Sequence, residues 1–285
     1  MGEAIQRNIS LVLGIVLSGV ICALAAGWIV FPTGAASPTL LQAESLVMAW
    51  IMTLIVLLIA TVIAGVVGRF SNAAVGLFVL GCGVFVLARR MGSLEVLAFG
   101  DGGLTPLVVE AIIWTVLLAG MSWTVFRMSG SLPDVEPNVF HVHPNPYISR
   151  EALIQMGCGV LMLPVVWLFA QAPDKGQALG AAILGGIACG LAGRLMSPHV
   201  QPILLFASPC LFGAVGYVAG MVMLPGSLVD AFVLRSVPAW LQPMPVDYAA
   251  GTLIGVSFGL GWAKSFLHHE ETPAPSGGAV QTSSS

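Results

Sequence analysis

Eight continuous apolar runs take up most of the chain: 9–31, 46–67, 72–88, 106–127, 152–171, 177–196, 200–224 and 247–266. A helix crosses the hydrocarbon core of a bilayer with about 20 apolar residues. Lipid offers no partner to a bare backbone N–H or C=O, so a spanning run must be a helix or part of a closed barrel. Barrel strands alternate polar and apolar residues, whereas these runs do not, so helices are expected. The run 72–88 is short; it ends at Arg89 and Arg90, whose side chains can snorkel to the interface.

Composition agrees. Hydrophobic residues make up 57% of the 285 positions and charged residues 8%, with a mean hydropathy of +0.96. A soluble domain carries about 25% charged residues, so this chain lacks the material for a water-facing surface. The expected class is an all-α polytopic membrane protein. A net charge of −3 supplies no basic stripe for nucleic acid and no polybasic cluster for anionic lipid. The expected partners are therefore the lipid bilayer and further membrane subunits, either copies of this chain or other proteins.

The five cysteines, Cys22, Cys82, Cys158, Cys189 and Cys210, all lie inside apolar runs without a Cys-x-x-Cys pair. They read as small buried hydrophobes, not as a disulfide framework or a zinc site. No cofactor is expected. Ala23-Leu24-Ala25 offers a small-residue cleavage pattern, but the first run exceeds the 7–15 residues of a signal peptide's apolar region, so it is read as a retained span. "MGEAIQ" lacks the Ser or Thr of a myristoylation signal at its sixth position. The polar tail 268–285 is expected to be disordered.

The chain also echoes itself. Gly65-x-x-Gly68-Arg69 returns as Gly190-x-x-Gly193-Arg194, each time where an apolar run stops. "GSLEVLAF" at 92–99 returns as "GSLVDAF" at 226–232, and "GMSW" at 120–123 as "GLGW" at 259–262. Trp28 matches Trp167 and Trp123 matches Trp262, both at an offset of 139. These echoes keep their order, which points to duplication of a four-helix unit: 1–128 and 152–267, joined by a polar, proline-rich linker at 129–151. Four crossings return the chain to its starting side, so the copies should be parallel repeats about an axis along the membrane normal. In this reading the paired glycines let the next helix approach closely in a tight hairpin. Arg69 and Arg194 then lie at helix C-termini, where a cation meets the negative end of the dipole and the side chain reaches headgroups. Gly251, Gly255 and Gly259 form another small-residue face, as do Ala182, Gly186 and Gly190, and contact within the chain is favoured over contact between protomers.

With the N-terminus inside, Arg7, Arg69, Arg127, Arg150, Arg194 and Lys264 fall on the cytoplasmic side, against Arg89, Arg90, Lys175 and Arg235 outside. That excess points to an inner-membrane protein with both termini cytoplasmic.

Signals of chemistry are sparse. There is no nucleophile elbow, zincin motif, phosphate loop or dinucleotide fingerprint, so an enzyme is not expected. Glu110, four residues past Pro106, is the leading candidate for ligand or proton binding, since intramembrane carboxylates are costly. Asp247, two residues past Pro245, is the second. Both also sit near helix N-termini, which stabilise an anion structurally. Segments 91–104 and 225–246 precede these helices on one face and are too short to span, so they should lie along the surface or dip in. His141 and His143 in the linker are weak metal candidates, with Asp134 and Glu136 nearby; two histidines in such a linker are ordinarily polar loop residues, and no metal site is expected. The leading functional expectation is a permease or channel-like protein with a site between pseudo-symmetric halves. The alternative is a non-catalytic structural subunit or scaffold of a membrane complex. Convergent polar groups or water at the seam would favour the first, and a seam filled by side chains the second.

Overall fold

The computed structural model describes residues 2–270 except Thr33, Asp101–Gly102, Asp134, 136–148 and Pro225. Helix makes up 79% of the structure, with no strand among the described residues, so backbone groups are satisfied locally, as a bilayer requires. The elements are α1 (Gly2–Ala25), α2 (Leu46–Phe70), α3 (Ala73–Arg90), the short α4 (Leu94–Phe99), α5 (Thr105–Ser129), α6 (Arg150–Gly157), α7 (Met162–Phe169), α8 (Lys175–Met196), α9 (Ser208–Met223), the short α10 (Leu228–Val233) and α11 (Pro245–Glu270).

The run expected over 152–171 is one rod with a defect. A 3-10 turn at Cys158–Leu161 joins α6 to α7. Pro164 has no N–H to give the Val160 carbonyl, which weakens the α-helical ladder at this point. Pro209 starts α9 within its first turn, which shortens the run expected from 200. Asn72 caps α3, its Oδ1 accepting from the Val75 N–H at 2.9 Å, and Ser149 caps α6 by accepting from Ala152 N–H at 3.1 Å.

Among the described residues, seven helical segments are long and apolar enough to cross a membrane, from Ala4–Trp28 to Leu204–Met223. The last expected span, 247–266, lies in α11 and is not among them. Every residue from Pro243 to Val256 is buried, and α11 packs against α3, α5, α8 and α9. A helix surrounded by protein has no need of lipid-like side chains, so Gly, Ser and Thr lower its hydropathy. α1 shows the converse: Val12, Val16, Val20 and Leu24 are exposed along one face, while Ser18, Cys22 and Ala25 are buried on the other.

The tightest contact joins α8 and α11 through the two small-residue faces, within the chain. A Cβ on Gly190 would stand 2.6 Å from the Val256 carbonyl oxygen, and one on Gly186 3.0 Å from the Cα of Gly255. Lipid gives no hydrophobic drive between helices, so this closeness recovers dispersion contact instead.

The paired Gly-x-x-Gly-Arg motifs act differently from the tight hairpin expected. A Cβ on Gly65 would come within 2.5 Å of the Met128 sulfur, and one on Gly68 within 2.9 Å of the Ser129 Cβ. Their neighbour is thus α5; the approach of α2 to α3 falls to Gly76, where a Cβ would lie 2.5 Å from the Ala64 carbonyl oxygen. Likewise Gly190 meets α11, and a Cβ on Gly193 would lie 2.8 Å from Leu205. Arg69 is exposed as expected, but Arg194 is only 4% exposed. The latter lines a cavity together with Asn72, Leu132 and Lys264.

Candidate functional site

α1 begins at what is here called the proximal end of the bundle. There Leu11, Asn72, Leu132, Arg194 and Lys264 line one cavity. The distal end gathers three connectors, 29–45, 91–104 and 224–244, above the first turns of α5, α8 and α11. Both candidate carboxylates lie beneath them.

Pro106, in the first turn of α5, pre-sets the helical backbone and places Glu110 one turn in. Its side chain is wholly buried. Oε2 accepts from the Leu40 N–H at 2.6 Å and from the Leu41 N–H at 3.3 Å. Oε1 accepts from the Trp114 indole N–H at 3.3 Å, one turn along the same helix face. Leu40 opens a 3-10 turn, Leu40–Gln42, whose first N–H groups have no partner within the turn. The carboxylate supplies that partner from a different part of the chain.

The connector it holds is itself ordered. Ser37 N–H donates to the Ile29 carbonyl at 3.1 Å, Glu44 N–H to Val30 at 2.8 Å, and Gly92 N–H to Ser37 at 2.9 Å. Ser37 Oγ donates to the Thr39 carbonyl at 2.7 Å. Gly92 has to be glycine for this docking, because a Cβ there would stand 2.5 Å from the Ala36 carbonyl oxygen.

Asp247 is the third residue of α11 and is also wholly buried. Oδ2 accepts from the Met244 N–H at 2.8 Å, the reach from a helix's third position back to its N-cap that closes a capping box. Lys175 Nζ lies 2.8 Å from Oδ1 and 2.9 Å from Oδ2. The same ammonium donates to the Gly92 carbonyl at 3.0 Å. Lys175 therefore ties together the start of α8, the start of α11 and the segment before α4. Two tyrosines fill the space beside it. Tyr217 donates its hydroxyl to the Pro243 carbonyl and Tyr248 donates to Trp240 at 2.7 Å; their rings meet edge to face at 5.9 Å.

The sequence marks Glu110 and Asp247 but gives no sign of what they touch. Lys175 reads there as an ordinary charge at a span boundary, and nothing local pairs it with a residue 72 positions away. The connector 29–45 carries no sequence motif that foretells its docking. Its Pro, Gly, Ser and Thr content signals turns without saying that they fold inward.

At the proximal end, a cavity of about 340 Å³ lies between α3 and α11, lined by Asn72, Phe78, Arg194, Ser257, Phe258 and Lys264. A smaller one of about 200 Å³ lies between α5 and the segment leading into α9, lined by Trp123, Arg127, Gln201 and Ile203. Elsewhere the halves meet closely: a Cβ on Gly81 would lie 2.8 Å from Leu253, and Cys210 Sγ sits 3.6 Å from the Ala111 carbonyl. Among the described residues, no group of three His, Cys, Asp or Glu side chains is placed to hold a metal. His141 and His143, with Asp134 and Glu136, lie outside the described residues. Comparison with models of known protein families, with curated proteins and with solved structures gives no match.

Proposed function

We propose that this protein is a non-catalytic structural subunit of a membrane assembly, built from two parallel four-helix repeats with α11 as the eighth crossing. The observation that carries this reading is the occupation of both buried carboxylates by the protein's own groups. Glu110 holds backbone N–H groups of a connector and Asp247 holds Lys175 and Met244. A transport site needs groups that can exchange partners, and the seam between the halves is packed at Gly81 against Leu253 and at Cys210 against Ala111. Together these favour a scaffold over a carrier.

The repeat draws support from matched positions. Phe99 and Phe232 end the echoed stretches "GSLEVLAF" and "GSLVDAF", and their rings meet edge to face at 5.8 Å. In a two-fold arrangement, equivalent residues touch each other only near the axis. α3 packs on α11 while α9 packs on α5, and α5 meets α11 directly, the reciprocal contacts that two-fold symmetry produces. The matched tryptophans Trp28, Trp167, Trp123 and Trp262 are all exposed, in keeping with aromatic belts at the two interfaces.

A permease remains the second reading, because the 340 Å³ cavity opens between α3 of one repeat and α11 of the other. Reconstitution into liposomes separates the two. The scaffold reading expects no proton or ion flux above protein-free vesicles, together with a native-membrane particle larger than one chain. Flux abolished by Glu110→Gln or Asp247→Asn in a folded protein would overturn it in favour of the permease.

A further inference from the structure

The groove between α1 and α2 has a chemistry of its own, independent of how the halves are used. It holds about 270 Å³ and is walled by Leu13, Gly14 and Leu17 of α1 and by Ile63, Val66 and Phe70 of α2. The one hydroxyl on its wall, Ser10 Oγ, is turned to the Arg7 carbonyl at 2.8 Å, so the lining is apolar. At Gly14 the two helices converge: a Cβ there would stand 2.6 Å from a Val67 methyl. This contact closes the floor, and the slot follows α1 from Ser10 to Leu17, about 10 Å at 1.5 Å per residue.

One cation lies close in sequence to each wall. Arg7 lies one turn before Ser10, and Arg69 is next to Phe70. Both are exposed, and among the described residues neither forms an ion pair. An apolar slot between two helices of membrane-spanning length, with an arginine within three residues of the lining on each helix, matches an acyl chain below a negatively charged headgroup. Either guanidinium can donate to a phosphate oxygen, and the preference for a net-negative headgroup comes from the positive charge.

We propose that this groove binds one anionic phospholipid from the proximal leaflet, with an acyl chain along Leu13, Leu17, Ile63 and Val66 and its phosphate between Arg7 and Arg69. Each arginine near an anionic lipid surface contributes about a fivefold preference, so the pair should select strongly against a zwitterionic lipid sharing the same acyl chains.

The test is native mass spectrometry of the full chain, released from detergent containing equal amounts of phosphatidylglycerol and phosphatidylcholine. The wild type should retain phosphatidylglycerol in clear excess. Arg7→Gln/Arg69→Gln should bring the two lipids to parity, Arg7→Lys/Arg69→Lys should keep most of the excess, and Ile63→Trp should displace both by filling the slot. Equal retention of the two lipids by the wild type overturns the proposal, as does undiminished excess in the double glutamine variant. Melting temperatures in lipid-free detergent identify any misfolded variant; the wild-type competition then decides by itself.

Discussion

The carboxylate of Glu110 accepts a hydrogen bond from the backbone N–H of Leu40 at 2.6 Å across 70 positions of sequence. One side chain thereby fixes the connector between α1 and α2 to the second turn of α5. Asp247 and Lys175 do the corresponding work for α8, α11 and the segment before α4. At the distal end, these polar contacts let irregular backbone lie buried in the bundle. Such backbone is tolerated at membrane depth only where protein, not lipid, surrounds it.

Glu110→Gln should loosen that connector while leaving the bundle intact. The amide keeps the shape but sets an NH2 group where a second acceptor stood, so a buried N–H is left short of its partner. Such a loss costs about 1–3 kcal/mol. Thermal unfolding in detergent should show this drop, and limited proteolysis should open first between residues 30 and 45. Cleavage and melting identical to wild type would remove Glu110 from its holding role.

Lys175→Met should be more damaging than Glu110→Gln. It leaves the Asp247 carboxylate buried without its cation, and removing one partner of a buried pair costs about 3–5 kcal/mol. Lys175→Met/Asp247→Leu should recover much of that, since no charge then remains to be solvated, though the Met244 N–H loses its cap. A double-mutant cycle on melting in detergent measures the coupling; additive losses would show that the pair is not a unit.

The helix contact at Gly255 allows no side chain. A Cβ there would lie 2.7 Å from both the Gly186 Cα and the Ile187 nitrogen, which are backbone atoms that cannot rotate away. Gly255→Ala should therefore push α8 and α11 apart and destabilise by about 1–3 kcal/mol. Gly180→Ala is the control, because a Cβ at that position meets nothing within 4 Å, and it should be neutral or slightly stabilising. Equal melting of the two variants would contradict the packing described.

The class of the fold was legible because lipid imposes one strong rule, that backbone polar groups be satisfied within a helix. Continuous apolar runs record that rule directly. The small-residue faces of α8 and α11 were legible too, since close approach demands a small residue at every fourth position. What glycine cannot record is its partner. Gly65 and Gly68 looked like a hairpin device and instead admit α5. Arg69 and Arg194 carry the same local motif, yet one is exposed and the other enclosed, because burial there depends on segments arriving from elsewhere in the chain. The same holds for Glu110. Its cost in a membrane is visible from sequence, but its partners are main-chain groups of Leu40 and Leu41, which leave no side-chain signature.

The last prediction concerns α11, where hydropathy and packing disagree. Its composition keeps it out of the seven segments that qualify as spans, yet its first turn reaches Lys175 at the distal end and Lys264 lines the proximal cavity beside Leu11 and Asn72. A helix that enters at one end of the bundle and leaves at the other crosses whatever the bundle crosses. Cysteine labelling in sealed vesicles can test this with little background, since the native cysteines are buried apart from the partly covered Cys82. Arg7→Cys and Ser265→Cys, both at exposed positions, should react with a membrane-impermeant maleimide from the same side. Leu234→Cys, 74% exposed in the connector that precedes α11, should react only from the other. If Ser265 and Leu234 label from one side together, α11 does not cross, the helix count is odd, and two parallel four-helix repeats are impossible.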